Sequence, residues 1–462
     1  MRKILILSVV FYGFILPFKS NGQADMTSHF MDALPQANYE NPALIPDMRF
    51  HFSFPGISSI YAEGYNSGFH FRDVIETRGD SSYLLLDELI NEKLDDANSI
   101  SLHYAHELLS LGITADEKMY ISFAVSERFD FRFAYPKELL GLPYNGNGAY
   151  LGETIKMTPL NLKTTHYRQY AVGIAWQQPE FWSAGVRFKL LYGKANAWTE
   201  KTYASLYTAE NGYALDAEAE LLAHVTLPPG FDPDNTEGDE DIDPEEYLRN
   251  TANWGVGLDA GFRFLLSEKF SITGSVIDLG SINFKRNSYT YQNKRTSVTF
   301  EGFDAYDYVG MNDSLIEEDI QNTLDSIADK FDIQDKEGEY KMPLTTRFYV
   351  GGQYHLNEKN HLGLLFRGQF FGETFWPSLT ASYRHRFGRF LSLSASYTAT
   401  PENQLNVGMG AAMNMGPFQL YVISDNWLAA LKPEQTRFFN LHIGLNIVAR
   451  HKEKEKPMFI DY

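Results

Sequence analysis

The chain has 462 residues, 44% of them hydrophobic and 15% aromatic, with 35 Gly and no Cys. Its net charge of −19 excludes a nucleic-acid partner, which would need a basic patch. The lack of Cys excludes disulfide frameworks, thiol catalysis and thiolate metal sites.

Residues 1–22 read as a secretory signal. Arg2 and Lys3 form a charged start, Ile4 to Phe18 an apolar core, and Ser20-Asn21-Gly22 a small-residue cleavage site. The core is too short, and too broken by Pro17, to span a bilayer as a helix. No later stretch is long and apolar enough to do so either, so the mature chain either crosses as strands or stays soluble. Residues 23–98 show no clean alternation; they hold Asn41-Pro42-Ala43-Leu44, a short segment from His51 to Ile60, and a helical pattern from Tyr83 to Leu94.

Strands are predicted at 100–107, 119–127, 168–176 and 182–192, with 128–167 as a connection. In 182–192, Trp182, Ala184, Val186, Phe188 and Leu190 oppose Ser183, Arg187 and Lys189. Successive strand side chains point to opposite faces. Arg187 and Lys189 are therefore expected to face a wet lumen, because charge on a lipid face is costly. After the Asn211-Gly212 hairpin signal come strands at 213–227, 254–265, 269–277, 283–291 and 295–301. Two insertions interrupt the series, an acidic one at 228–250 and one at 302–343 with a helical pattern from Leu315 to Phe331.

The last hundred residues alternate most regularly. Leu391, Leu393, Ala395, Tyr397 and Ala399 oppose Ser392, Ser394, Ser396, Thr398 and Thr400. Phe439, Leu441, Ile443, Leu445 and Ile447 oppose Asn440, His442, Gly444 and Asn446. The polar face carries Ser, Thr, Asn and Gly rather than Lys and Glu, and each apolar face runs for about ten residues, the length of a tilted membrane strand. Asn440, His442 and Asn446 are the expected lumen-facing residues. Turns at 416–417, 388–389, 357–360 and 266–268 are short and fall on one side. Most connections on the other side are long, as in outer-membrane barrels. Residues 450–462 read as a charged periplasmic tail.

Four features carry a resemblance to a known group: Asn41-Pro42-Ala43 with Pro46, Ser275-Val276-Ile277-Asp278-Leu279-Gly280, Met342-Pro343-Leu344 leading into Phe348 to Tyr354, and the terminal strands. On these the chain resembles an uncharacterised Bacteroidota-type outer-membrane barrel family related to the long-chain fatty acid transporter and to the PorV-like barrels. The resemblance implies fourteen strands and an N-terminal plug containing Asn41, Pro42 and Ala43.

Other motifs read blandly. His103 and His106 are three apart and point to opposite faces of a strand. The acidic loop with Asp232, Asp234, Asp239 and Asp241 offers the carboxylates Ca²⁺ collects but not EF-hand spacing. Arg384, His385, Arg386 and Arg389 gather near a short turn on the periplasmic side, as expected of lipid-headgroup and lumen contacts at the membrane edge.

The sequence is therefore read as an all-β transmembrane antiparallel barrel of about 14 strands, or 16. A 23–98 plug segment precedes the 99–449 barrel. The expected location is the outer membrane of a Gram-negative-type cell. The expected function is non-enzymatic and cofactor-free: passage or binding of small hydrophobic molecules, with an apolar pocket between plug and wall. The alternative is an accessory barrel docking protein partners of a secretion system.

Overall fold

Period-two alternation becomes a closed wall. The computed structural model describes residues 25–450, apart from 79–80, 117, 159, 179–180, 213, 232–242, 302–321, 323–325, 328, 372–373 and 401–405. The first strands are β1 (Phe50–Ser53), β2 (Ser59–Asn66), β3 (Ile75–Arg78), β4 (Ser81–Leu84), β5 (Asn98–Ala115) and β6 (Met119–Tyr135). There follow β7 (Thr154–Lys156), β8 (Asn161–Gln178), β9 (Trp182–Thr208), β10 (Leu215–Thr226), β11 (Asn253–Ser267) and β12 (Phe270–Phe284). Next are β13 (Ser288–Gln292), β14 (Thr296–Phe300), β15 (Gln334–Glu337), β16 (Tyr340–Pro343), β17 (Arg347–His355) and β18 (Asn360–Phe371). The last are β19 (Thr374–Phe387), β20 (Leu391–Ala399), β21 (Asn406–Met415), β22 (Phe418–Ser424) and β23 (Phe438–Ala449).

The wall runs antiparallel through β5, β6, β8, β9, β11, β12, β17, β18, β19, β20, β21, β22 and β23. β1 and β2 together fill one further place, since both pair with β23 on one side and β5 on the other. The barrel thus closes at fourteen strands and leaves no wall edge. Short turns cluster at the end where Phe50 pairs with Ala449, and Gly388 and Gly416 supply positive φ in two of them. The long connections lie at the opposite end.

The outer face is apolar. Phe439, Leu441 and Ile443 are 52, 44 and 38% exposed, whereas Asn440, His442 and Asn446 between them are 5, 6 and 0% exposed. Such an exterior suits hydrocarbon, and we read it as the membrane belt.

Several expected elements lie elsewhere. Residues 128–135 are strand rather than connection, because Arg128-Phe129-Asp130-Phe131-Arg132-Phe133 continues the alternation in β6. The expected strands at 213–227, 283–291 and 295–301 are not wall. They form β10, β13 and β14, a sheet beyond the rim on the outer half of β9. β15 adds to its edge. These surplus strands account for the alternative count of 16. Within 23–98, only 25–48 run inside the barrel; His51 and its neighbours are wall strand, their alternation hidden by the break between β1 and β2. The signal, the four acidic-loop aspartates, the 451–462 tail and most of the 315–331 helical pattern lie outside the described residues.

Candidate lumen site

Residues 25–48 have no ladder of their own, so their backbone must find partners in the wall. At the upper end, the side chain of Asp425 accepts from the backbone N–H groups of Met26 and Thr27, both at 2.9 Å. Asp25 hydrogen-bonds His442. Lower down, Gln36 and Asn446 exchange two amide hydrogen bonds of 3.0 Å each. Glycines in β18 and β21 make room: a Cβ on Gly363 would overlap Phe30, and one on Gly410 would overlap Met31.

Asn41-Pro42-Ala43 seats against β9, β11 and β12. Asn41 Nδ2 donates to the carbonyls of Phe262 and Gly274, each at 3.3 Å, and its Oδ1 accepts from Ala43 N–H at 2.9 Å. Ser275 Oγ donates to the Glu40 carbonyl (2.6 Å) and Ser183 Oγ to the Ala43 carbonyl (2.7 Å). Pro42 occupies the space a Cβ on Gly185 would need, and Asn41 that of Gly261. Two of the motifs singled out by sequence therefore meet: Ser275 of the 275–280 stretch holds the chain just before Asn41.

The same stretch supplies a buried ion network. Asp278 takes φ 63°, a left-handed conformation that Asp tolerates better than most residues. Its carboxylate meets Lys189 at 2.5 Å and also pairs with Arg347. Lys189 reaches Asp259 at 2.7 Å, and Arg187 reaches Asp259 at 3.2 Å and the Asn38 carbonyl at 2.6 Å. Arg187 and Lys189 are each 3% exposed, so both are packed inside the barrel rather than open to a wide channel.

A second anchor lies toward the short-turn end. Arg384 and Arg386 both pair with Asp32, and Arg384 also donates to the Phe30 carbonyl at 3.0 Å. Arg384 is 1% exposed and grips the inner segment, a lumen contact rather than a headgroup one. Burial alone would raise the Asp32 carboxyl, but the two guanidinium groups overcome it and hold it well below the ordinary range. Glu40 behaves oppositely. Burial first, and then Asp25, push its carboxyl well above the ordinary value, which favours the neutral acid. His103 faces inward onto Asp130, while His106 lies outside, 3.0 Å from the Gly56 carbonyl.

Two cavities lie inside the barrel among the described residues. The upper one, of about 130 Å³, lies above the inner segment and is lined by β5, β6, β8, β18 and β19 and by the 342–347 stretch. The lower one, of about 80 Å³, lies between wall and inner segment; His103, Arg128, Gln169 and Arg347 line both. Neither is the expected apolar pocket. The upper cavity carries Arg128, Asp130, Arg132, Lys163, Arg347 and Arg367 beside Met342, Leu344 and Trp376. The lower is bordered by Asp25, Glu40, Glu107, Arg187 and Lys189. The expectation failed because inner segment and wall meet through polar groups on both sides. Arg128, Asp130 and Arg132 were missed although the Arg-Phe-Asp-Phe-Arg-Phe alternation marks them. Asp259 and Arg367 carry no local signal beyond their place on a polar face.

Among solved structures, the chain is similar to the Ralstonia pickettii toluene transporter TbuX. Identity is 9%, with 90% of this chain and 94% of that one covered and a TM-score of 0.40. It is similar to the Pseudomonas putida toluene transporter TodX at 10% identity over 90% and 92%, with a TM-score of 0.40. For a Pseudomonas aeruginosa FadL homologue the values are 10%, 90%, 94% and 0.41. No curated protein matches the sequence. A family model matches residues 42–425, and the chain belongs to that family, the family of unknown function DUF5723.

Proposed function

We propose that this protein is an outer-membrane barrel that captures small molecules with an apolar part from outside and passes them inward, with residues 25–48 acting as the plug. The observation carrying this reading is the pair of stacked cavities with shared lining, which leads from beneath the long connections down to the inner segment. Leu344, Met342 and Trp376 offer the upper cavity's apolar surface. The hydrogen-bonded seat of Asn41 to Ala43 supports the plug role, since it closes the lumen along β9, β11 and β12.

A second reading, docking of a protein partner, is favoured by the sheet of β10, β13, β14 and β15 standing beyond the rim. The readings separate in one experiment. The full barrel is purified in mild detergent, analysed by native mass spectrometry, and reconstituted into liposomes for uptake of a small aromatic solute. Uptake above that of empty liposomes, increased by Asn41→Ala, supports passage. Absence of uptake in both forms, together with a stoichiometric protein subunit, supports docking and sinks passage. Cell fractionation tests the location; recovery outside the outer-membrane fraction would contradict it.

A further inference from the structure

We infer that the upper cavity is a binding site for a compact organic oxyanion, a carboxylate or phosphate on a body no larger than about one ring. This deepens the passage reading and rests on it for the ligand's route. The inference begins from charge. Arg128, Arg132, Lys163, Arg347 and Arg367 line the cavity, against Glu63, Asp130 and Asp278. The acids partly offset this charge: Asp278 pairs with Arg347 and, outside the cavity, Lys189, and Asp130 pairs with His103. Glu63 accepts from the Tyr61 hydroxyl. The lining still holds five cationic side chains against three carboxyl groups.

Arg367 is the second, independent observation. It is 4% exposed and donates to Gln369, yet its Nε has no hydrogen-bond partner among the described residues. Arg128 Nε is likewise buried without one. A buried donor left unpaired costs about 1–3 kcal/mol, and a guanidinium fork matches the two oxygens of a carboxylate or phosphate. An oxyanion between these arginines would satisfy both the charge and the donors.

Size narrows the class. A dry cavity of about 150 Å³ takes a benzene ring, so the 130 Å³ here fits a ring-sized body and not a long alkyl chain. Trp376 already lies under the Arg132 guanidinium, 3.6 Å from the ring centroid, and offers the apolar contact. The wall is continuously paired at this height through β5, β6 and β8 and through β17, β18 and β19. The ligand therefore arrives from the aqueous side rather than from the bilayer.

The test is calorimetric titration of the full barrel in neutral detergent with benzoate, its uncharged counterpart benzyl alcohol, inorganic phosphate, and dodecanoate. Benzoate is expected to bind at least tenfold tighter than benzyl alcohol, and phosphate measurably. Arg367→Gln should weaken benzoate at least tenfold while the heat-modifiable gel shift of the folded barrel is kept. Arg128→Gln serves if that variant does not fold. Equal affinity for benzoate and benzyl alcohol, or unchanged benzoate affinity in a folded arginine variant, overturns the site. Dodecanoate binding tenfold tighter than benzoate overturns the size limit. Benzoate binding without liposome uptake keeps the site and refutes passage; uptake indifferent to both arginine variants refutes the site and keeps passage.

Discussion

Substitution of Asp32 by Asn isolates the strongest electrostatic hold on the inner segment. Asp32 faces Arg384 and Arg386, and Arg384 is 1% exposed, so the change leaves a buried cation without its counter-ion. Breaking a fully buried pair costs about 3–5 kcal/mol. Here the Asp32 side chain is 23% exposed, and Arg384 keeps the Phe30 carbonyl, which lowers the figure to about 2–3 kcal/mol. At about 1.4 kcal/mol per tenfold, the unseated population should rise roughly 30- to 150-fold. The chain has no Cys, so Leu34→Cys, at a position 1% exposed, gives a single thiol that labels only when the segment leaves its seat. The labelling rate of Asp32→Asn/Leu34→Cys over Leu34→Cys alone reads the ratio directly. Adding Arg384→Met removes the orphaned charge and should recover part of the loss. A rise below threefold, or no recovery in the triple variant, would refute the account of this anchor.

The same thiol reports on pH. Because the Asp32 carboxyl is lowered in the folded chain, its stabilisation is full above the unfolded value of about 4 and is lost only as pH falls toward the folded one. The ratio of labelling rates, Asp32→Asn/Leu34→Cys over Leu34→Cys, should be constant from pH 7 to 5 and fall toward one below pH 4; a fall already at pH 6 contradicts this. Gly185→Ala places a methyl group against Pro42 and should unseat the segment by about 1–3 kcal/mol, seen as faster labelling. Leu441→Arg places charge on the lipid face and should cost about 2–4 kcal/mol if it lies near the bilayer midplane, lowering the yield of heat-modifiable barrel. Ser394→Arg should also impair folding, since Ser394 is 4% exposed against a filled lumen. A wild-type yield for Ser394→Arg would mean the lumen is emptier than described.

The wall was legible because period two is a local property. Leu391 to Thr400 and Phe439 to Ile447 announce a lipid face and an inner face with no knowledge of any other residue. What stayed hidden depends on pairs far apart in the chain. Met26 and Asp425 are 399 positions apart, and Gln36 and Asn446 are 410 apart. No spacing rule connects them, and residues 25–48 carry no period of their own. The polar face was read as wet because charge and amide groups usually meet water. In fact Asn446 is fully buried, its amide occupied by Gln36 and Gln419.

One distinction on the polar face was nevertheless written in the sequence. β20 and β21 turn mostly small inner side chains toward the lumen: Ser392, Ser394, Ser396 and Thr398, then Asn406, Gly408, Gly410 and Ala412. β6, β9, β17 and β18 instead turn Arg128, Asp130, Arg132, Arg187, Lys189, Arg347 and Arg367 inward. A backbone segment can approach only where side chains are short. Accordingly Thr27 and Met31 pack against Gly408 and Gly410, and no residue lining either cavity comes from β20, β21 or β22. The long charged side chains line the cavities instead. Side-chain size along the polar face thus separates the strands that seat Thr27 to Met31 most closely from those whose long side chains line the cavities.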